Sequence, residues 1–101
     1  VEFHYGPPAT VNAPEMTSKL LRAAGAVAGP EKVREVEEPT MGGEDMAFFL
    51  EKAPGVFFFH PSTFGGGQDY PHHHPKFDVN EEVLWTGTGT MAQFALTWQD
   101  D

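Results

Sequence analysis

The residues with the densest chemical capacity stand together in "YPHHHPKFDVNEE", residues 70–82, where three of the chain's five histidines follow one another between Pro71 and Pro75. Neutral imidazole is the commonest metal ligand near pH 7, so His72, His73 and His74 point first to metal binding. Adjacent residues in an extended loop face different directions, so one ring, or at most two, can meet a single ion. A zinc site takes three or four ligands, and the others must come from elsewhere in space. The competing reading is a solvated loop with one ring packed against Tyr70 or Phe77.

Other chemistry is sparse. Glu44 and Asp45 follow Gly42 and Gly43 at a helix start, where complementing the helix dipole is the simpler role. His4 alternates with strand residues, and His60 ends an apolar run; both read as structural histidines. Ser62 has His60 close by but no nucleophile elbow. Gly65 to Gly67 lack the lysine of a phosphate loop. The chain has no cysteine, which removes thiolate ligands and disulfides alike.

These residues need elements to hold them. "VEFHY" (1–5) alternates apolar and polar residues as a half-buried strand does. In "VNAPEM", Asn12 reads as a helix cap, Pro14 suits the first turn and Glu15 completes a capping box. Met16, Leu20, Ala23, Ala24 and Val27 then share one face, and Gly29-Pro30 stops the helix. Residues 32–38 form a polar strand candidate. A second helix is expected from about Gly43 to Lys52, with Met46, Phe49 and Leu50 on its apolar face. "GVFFFHP" (55–61) is apolar without alternation, the pattern of a central strand covered on both faces. A last helix is expected from about Asn80 to Trp98, capped by Asp78 or Asn80, with Val83, Gly87, Met91, Phe94 and Trp98 on one face. Gly87 and Gly89 each cost about 1 kcal/mol in a helix interior, a cost that close packing on a sheet would offset. The alternation of strands and helices predicts an α/β fold, a mainly parallel sheet covered by helices. Two or three strands make a narrow sheet with open edges. Val1 stands inside the first candidate strand, so the chain is expected to be a piece of something longer.

Composition bounds the partners. The 101 residues carry a formal net charge of −9, from 15 acids and 6 bases. The bases form no stripe, so neither nucleic acid nor an anionic membrane surface is an expected partner. No apolar run approaches the roughly 18 residues of a membrane span, and nothing asks for an oxidising compartment; the expectation is a cytoplasmic protein.

"PTMGGEDMAFFLEKAPGVFFF" followed by "PHHHPKFDVNEE" resembles the C-terminal part of the metal-dependent amidohydrolases of the aminoacylase and carboxypeptidase superfamily. The branch is that of hippurate hydrolase, N-acyl-amino-acid amidohydrolases and auxin-conjugate hydrolases. "VEFHYGPPATVNAPEM" is similar to the family's return from an inserted lid domain. The resemblance implies that residues 1–9 end a lid (dimerisation) domain and that residues 10–101 are the C-terminal part of a zinc-peptidase-like catalytic domain. It implies a zinc, manganese or nickel centre, completed only by the N-terminal part of the same enzyme, and a homo-oligomer. The family's C-terminal metal ligand is the histidine two positions before the proline, here His73. Gly42, Gly43 and Glu44 match a loop bordering the substrate, with His74 beside it. Asn12 matches a hinge asparagine. The implied reaction is hydrolysis of the amide of an N-acyl amino acid or small peptide. The cysteine, the general-base glutamate and four of the five usual ligands are missing from these 101 residues, so the chain alone is expected to be inactive. The rival reading is a stand-alone acidic module that dimerises through an open sheet edge, its histidine loop binding metal only adventitiously.

Overall fold

The computed structural model describes residues 1–100. Three α-helices form: α1 (Pro14–Ala28), α2 (Met46–Lys52) and α3 (Leu84–Thr97). Short 3₁₀ turns at Pro30–Lys32 and Glu81–Val83 follow α1 and precede α3.

Helix α1 is built as its sequence predicts. Leu20 and Ala23 are buried and Met16, Ala24 and Val27 are half-buried, so the apolar stripe turns inward against α3. Gly29 takes φ +97°, a conformation open to glycine, and its N–H closes the last turn on Gly25 O at 3.0 Å. Only the start differs. Ala13, not Asn12, occupies the cap position, because Pro14 is already the first helical residue. No side chain caps α1, so the expected capping box does not form.

Helix α3 packs on α1 with a face that keeps Val83, Gly87 and Phe94 of the expected stripe and loses Met91 and Trp98. Thr90 is buried and Val83, Thr86, Gly87, Gln93, Phe94 and Thr97 are half-buried, whereas Met91 is 64% and Trp98 41% exposed. The two glycines explain the rotation. A Cβ at Gly89 would stand 2.9 Å from Val27 Cγ1, and one at Gly87 would stand 3.2 Å from His60 Nδ1. The close approach expected of them is real, but it is made to a helix and a histidine ring, not to a sheet. Asn80 does cap this end, its Oδ1 accepting the Glu82 N–H at 3.1 Å; Asp78 only accepts from Val79 next to it. At the other end Lys19 Nζ donates to the carbonyls of Trp98 and Asp100, tying α1 to the C-terminus of α3. Cations are favourable at that end of a helix.

Helix α2 is shorter than expected, starting at Met46. Ala47 is fully buried and Leu50 half-buried, while Phe49 is 70% exposed and so lies off the inward face.

The expected sheet does not form. Among the described residues no strand is paired: 1–5, 32–38 and 55–61 are without ladder partners. The chemistry of a strand accounts for this, since its N–H and C=O groups must be met by another strand. Residues 1–5 are exposed, His4 among them, with Glu2 3.6 Å from its ring; its expected structural burial is absent.

The result is a flat, open body, 51 × 39 × 22 Å with a radius of gyration of 15.6 Å. A chain of this length folded alone has a radius near about 13 Å. Its accessible surface is 8500 Å² for 11.1 kDa, where about 5,700 Å² is usual for a monomer of that mass. Apolar side chains supply part of the excess, among them Phe49, Trp85, Met91 and Leu96.

Candidate functional site

The histidine loop is closed at its neck by one residue. Asn80 donates its backbone N–H to Ser62 O at 2.8 Å and its side-chain amide to Thr63 O at 3.4 Å. The long segment between is therefore a loop with joined ends, in the manner of an Ω-loop. Inside it the Phe64 N–H donates to Asp69 Oδ1 at 2.8 Å. Two turns then follow, His74 N–H to Pro71 O at 3.2 Å and Phe77 N–H to His74 O at 2.9 Å.

Within this frame the three histidines separate. His74 stacks on Tyr70 with ring centroids 4.5 Å apart, and its Nδ1 accepts the Lys76 N–H at 3.0 Å. Lys76 Nζ in turn stands 5.7 Å over the Tyr70 ring. His72 meets Phe77 edge-on at 4.9 Å. So the packing anticipated for one ring, against Tyr70 or Phe77, holds two. His73 has no such anchor: its nearest aromatic neighbour is His72, at 6.5 Å, and its ring is exposed. It also takes φ +69°, the one non-glycine residue of the described chain with positive φ. Histidine enters this region more readily than most residues, yet the conformation costs of order 1 kcal/mol. The left-handed backbone turns residue 73 out of line with its neighbours.

His60 behaves as a structural histidine. Its Nε2 lies 2.6 Å from Thr86 Oγ1, and that hydroxyl donates to Val83 O, also at 2.6 Å. With Gly87 against the ring, His60 fastens the end of the 55–61 segment to α3.

Gly42, Gly43 and Glu44 line a groove of about 720 Å³. Its other walls come from Pro7, Pro8, Asn12, residues 34–36 and residues 56–59. Glu44 Oε1 accepts the Met46 N–H at 3.3 Å. The first turn of α2 is thus met by the Glu44 carboxylate, the dipole-complementing role expected of it, and a second carboxylate from a ligand would meet repulsion there. The histidine loop does not line this groove, so His73 and His74 are not brought together with Gly42, Gly43 and Glu44 among the described residues. Nor do any three His, Asp or Glu side chains among the described residues gather closely enough to hold a metal ion. The donors present fit one arm of a metal centre and not a whole one.

Asn12 carries a role that sequence reasoning missed. Its Nδ2 donates to Phe57 O at 2.9 Å while its Oδ1 accepts the Phe57 N–H at 2.8 Å. Beside it the Ala13 N–H donates to Gly55 O at 2.9 Å. The side-chain amide imitates a neighbouring strand. No local signal distinguishes this use from helix capping, because both employ the same donor and acceptor.

Comparison with known proteins places these features in context. A family model described as peptidase family M20/M25/M40 matches residues 1–97. The chain is 39% identical over 97 residues to the putative amidohydrolase YhaA of Bacillus subtilis, covering 95% of this chain and 24% of that protein. It is 35% identical over 94 residues to thermostable carboxypeptidase 2 of Saccharolobus solfataricus, covering 92% and 23% respectively. It is 36% identical over 85 residues to the N-acetyl-L-cysteine deacetylase of Bacillus subtilis, covering 83% and 18%. The chain thus spans about a quarter or less of the length of these relatives. No solved structure matches it. No helix among the described residues is long and apolar enough to cross a membrane.

Proposed function

The chain belongs to peptidase family M20/M25/M40, a hydrolase family with amidohydrolases, carboxypeptidases and deacetylases among its members, and from that premise we propose that it is the C-terminal portion of a metal-dependent amidohydrolase acting on N-acyl amino acids or small peptides. Residues 1–9 end the lid domain and residues 10–101 complete the catalytic domain. The rest of the enzyme supplies the remaining metal ligands and the general base.

The observation that carries this reading is the division of labour among the three histidines. Two rings are spent on holding the loop, His72 on Phe77 and His74 on Tyr70. The third, His73, meets neither Tyr70 nor Phe77 and is held at positive φ. Backbone strain kept by a well-tied surrounding structure is a common mark of a functional position. A structural loop gains nothing from it, whereas a ligand must be presented with a fixed direction. The proposed ligand is therefore His73. His74, whose Nδ1 is an acceptor for Lys76 and so bears no proton in this arrangement, is the proposed support for the loop and the proposed border of the substrate.

Connectivity supports placing the two features at one end of a sheet in the complete enzyme. Helix α2 joins the 32–38 segment to the 55–61 segment, the arrangement of a crossover between parallel strands. The Gly42-Gly43-Glu44 turn leaves the carboxyl end of the first, and the histidine loop leaves the carboxyl end of the second. In open α/β sheets ligands bind outside the carboxyl ends of the strands.

A divalent cation, zinc, manganese or nickel, would polarise the amide carbonyl and activate water there. This chain's own part is narrower. His73 offers one imidazole nitrogen, the Asn80 neck and the two aromatic contacts fix where that nitrogen points, and Gly42 and Gly43 leave space for a substrate backbone to approach.

The test is made in the full-length enzyme. His73→Ala should lower bound metal and hydrolysis of an N-acyl amino acid together. His72→Ala should leave bound metal in place. If His73→Ala leaves both metal content and turnover at their original levels, the ligand is not His73.

A further inference from the structure

The histidine loop carries one positive charge that no acid of the described residues neutralises. Of the six bases, Lys76 alone stands after residue 52, where six of the 15 acids lie. The ion pairs among the described residues join Glu2 to His4 and Glu15 to Lys19, so Lys76 makes none. The acids nearest to it in sequence are spent on backbone: Asp78 Oδ1 accepts the Val79 N–H and Asp69 Oδ1 the Phe64 N–H, each at 2.8 Å. Yet the lysine is held. Its N–H donates to His74 Nδ1 at 3.0 Å, and its Nζ stands 5.7 Å over the ring of Tyr70, on which His74 stacks. An aromatic face attracts an ammonium without cancelling its charge. The cation is thereby kept in the loop that presents His73, three residues away, and its Nζ donates to no described residue.

We infer that Lys76 is a specificity-determining residue of the proposed hydrolase, its ammonium receiving the free carboxylate of the substrate. This rests on the reading of the chain as part of an enzyme acting on N-acyl amino acids. Acylation removes the positive charge of the amine and leaves the carboxylate, so such a substrate is an anion. It approaches a chain of formal net charge −9, which repels it unless a cation stands at the point of contact. The first turn of α2 does not serve, because the Glu44 carboxylate already meets it. The other five bases are less well placed. Lys19 is spent on Trp98 O, Asp100 O and Glu15. Arg22 lies within α1. Lys32 and Arg34 stand at the amino end of the 32–38 segment, and Lys52 precedes the 55–61 segment. Arg34 does line the groove of Gly42 and Gly43, with Glu35 beside it. Ligands of open α/β sheets bind beyond the carboxyl ends of the strands, and Lys76 is the base that follows such an end, in the same loop as the proposed metal ligand. A lysine ammonium on its flexible stem also suits a carboxylate whose neighbouring side chain changes from substrate to substrate.

A pair of substrates differing only in that charge decides it. In the full-length enzyme, release of amine is followed from an N-acetyl amino acid and from its methyl ester, with bound metal measured alongside. Lys76→Met keeps the stem over Tyr70 and removes the charge. It should raise KM for the acid about 10-fold or more, the loss of one charge-assisted contact, while KM for the ester, kcat for both and bound metal change little. Lys76→Arg should restore most of the preference for the acid. Added salt should weaken binding of the acid to the parent enzyme more than to Lys76→Met. An equal rise in KM for acid and ester would overturn the inference and leave Lys76 a loop support. Unchanged KM for the acid would overturn it too, as would a loss confined to the acid in Arg34→Met and absent in Lys76→Met. Each of these leaves the hydrolase reading standing. A parent enzyme that binds metal but releases amine from neither substrate would overturn both.

Discussion

Replacing Asn12 by aspartate separates two roles that look alike in sequence. As a helix cap, aspartate equals asparagine and adds a favourable charge at the positive end of the dipole, so Asn12→Asp should be neutral or stabilising by a few tenths of a kcal/mol. The structure demands the opposite. Asn12 Nδ2 is a donor to Phe57 O at 2.9 Å, and aspartate puts a carboxylate oxygen there instead, lone pairs facing lone pairs. The bond to the Phe57 N–H, 2.8 Å from Oδ1, survives. One net hydrogen bond is worth about 0.5–1.5 kcal/mol, and a half-buried carbonyl left facing an acceptor adds desolvation cost, for a total of about 1–3 kcal/mol. Asn12→Ala loses both bonds without the repulsion and should cost about the same. For a domain near 100 residues this is a drop in thermal midpoint of roughly 4–8 °C per kcal/mol. Circular dichroism gives the midpoints, and exchange of the Phe57 amide gives the local effect, protected in the aspartate variant and free in the alanine one. An aspartate variant that melts with the parent would refute the clamp and return Asn12 to the helix end.

Three further substitutions probe the same frame. Gly89→Ala should destabilise by about 1–2 kcal/mol despite the better helix propensity of alanine, because the new Cβ meets Val27 Cγ1 at 2.9 Å; adding Val27→Ala should recover most of the loss, and a lack of coupling in that double-mutant cycle would place the clash elsewhere. Lys19→Met keeps the apolar stem but removes the donor to Trp98 O and Asp100 O, so the amides that end α3 should exchange faster, with a global loss of about 1–2 kcal/mol; unchanged exchange would show the contact to be idle. His73→Gly should raise the thermal midpoint of the chain, since glycine takes φ +69° freely and the relief is worth about 1 kcal/mol, while His72→Gly should lower it; the absence of any gain at 73 would mean that no strain is held there.

How much of the site was legible follows from how each contact is encoded. The loop could be read because its parts are local. Tyr70 lies four residues from His74 and Phe77 five from His72, distances a short turn between Pro71 and Pro75 can close. The division into two anchored rings and one presented ring could not be read, because it depends on the φ of a single residue. The Asn12 clamp was invisible for another reason: its partner lies 45 residues away, and no periodicity links the two. Of the face expected for α3, Val83, Gly87 and Phe94 are kept and Met91 is not, because two glycines and a threonine allow closer approach than Met91 would.

The helices were legible and the sheet was not, and one physical asymmetry underlies both facts. A helix meets its own hydrogen bonds within a dozen consecutive residues, so its sequence carries nearly all that it needs. Gly29-Pro30 and Asn80 mark ends that the structure keeps. A strand carries half of what it needs, and the complementary half is another strand. "GVFFFHP" has the composition of a central strand, and one edge of it is met at residues 55 and 57, by a side-chain amide and the N–H of Ala13. What is missing is the other edge. The same holds for the proposed metal centre, where one imidazole is presented and no three His, Asp or Glu side chains gather among the described residues. On the proposed function, the ligands that complete the site come from the rest of the enzyme, so metal affinity should rise when the two parts are joined.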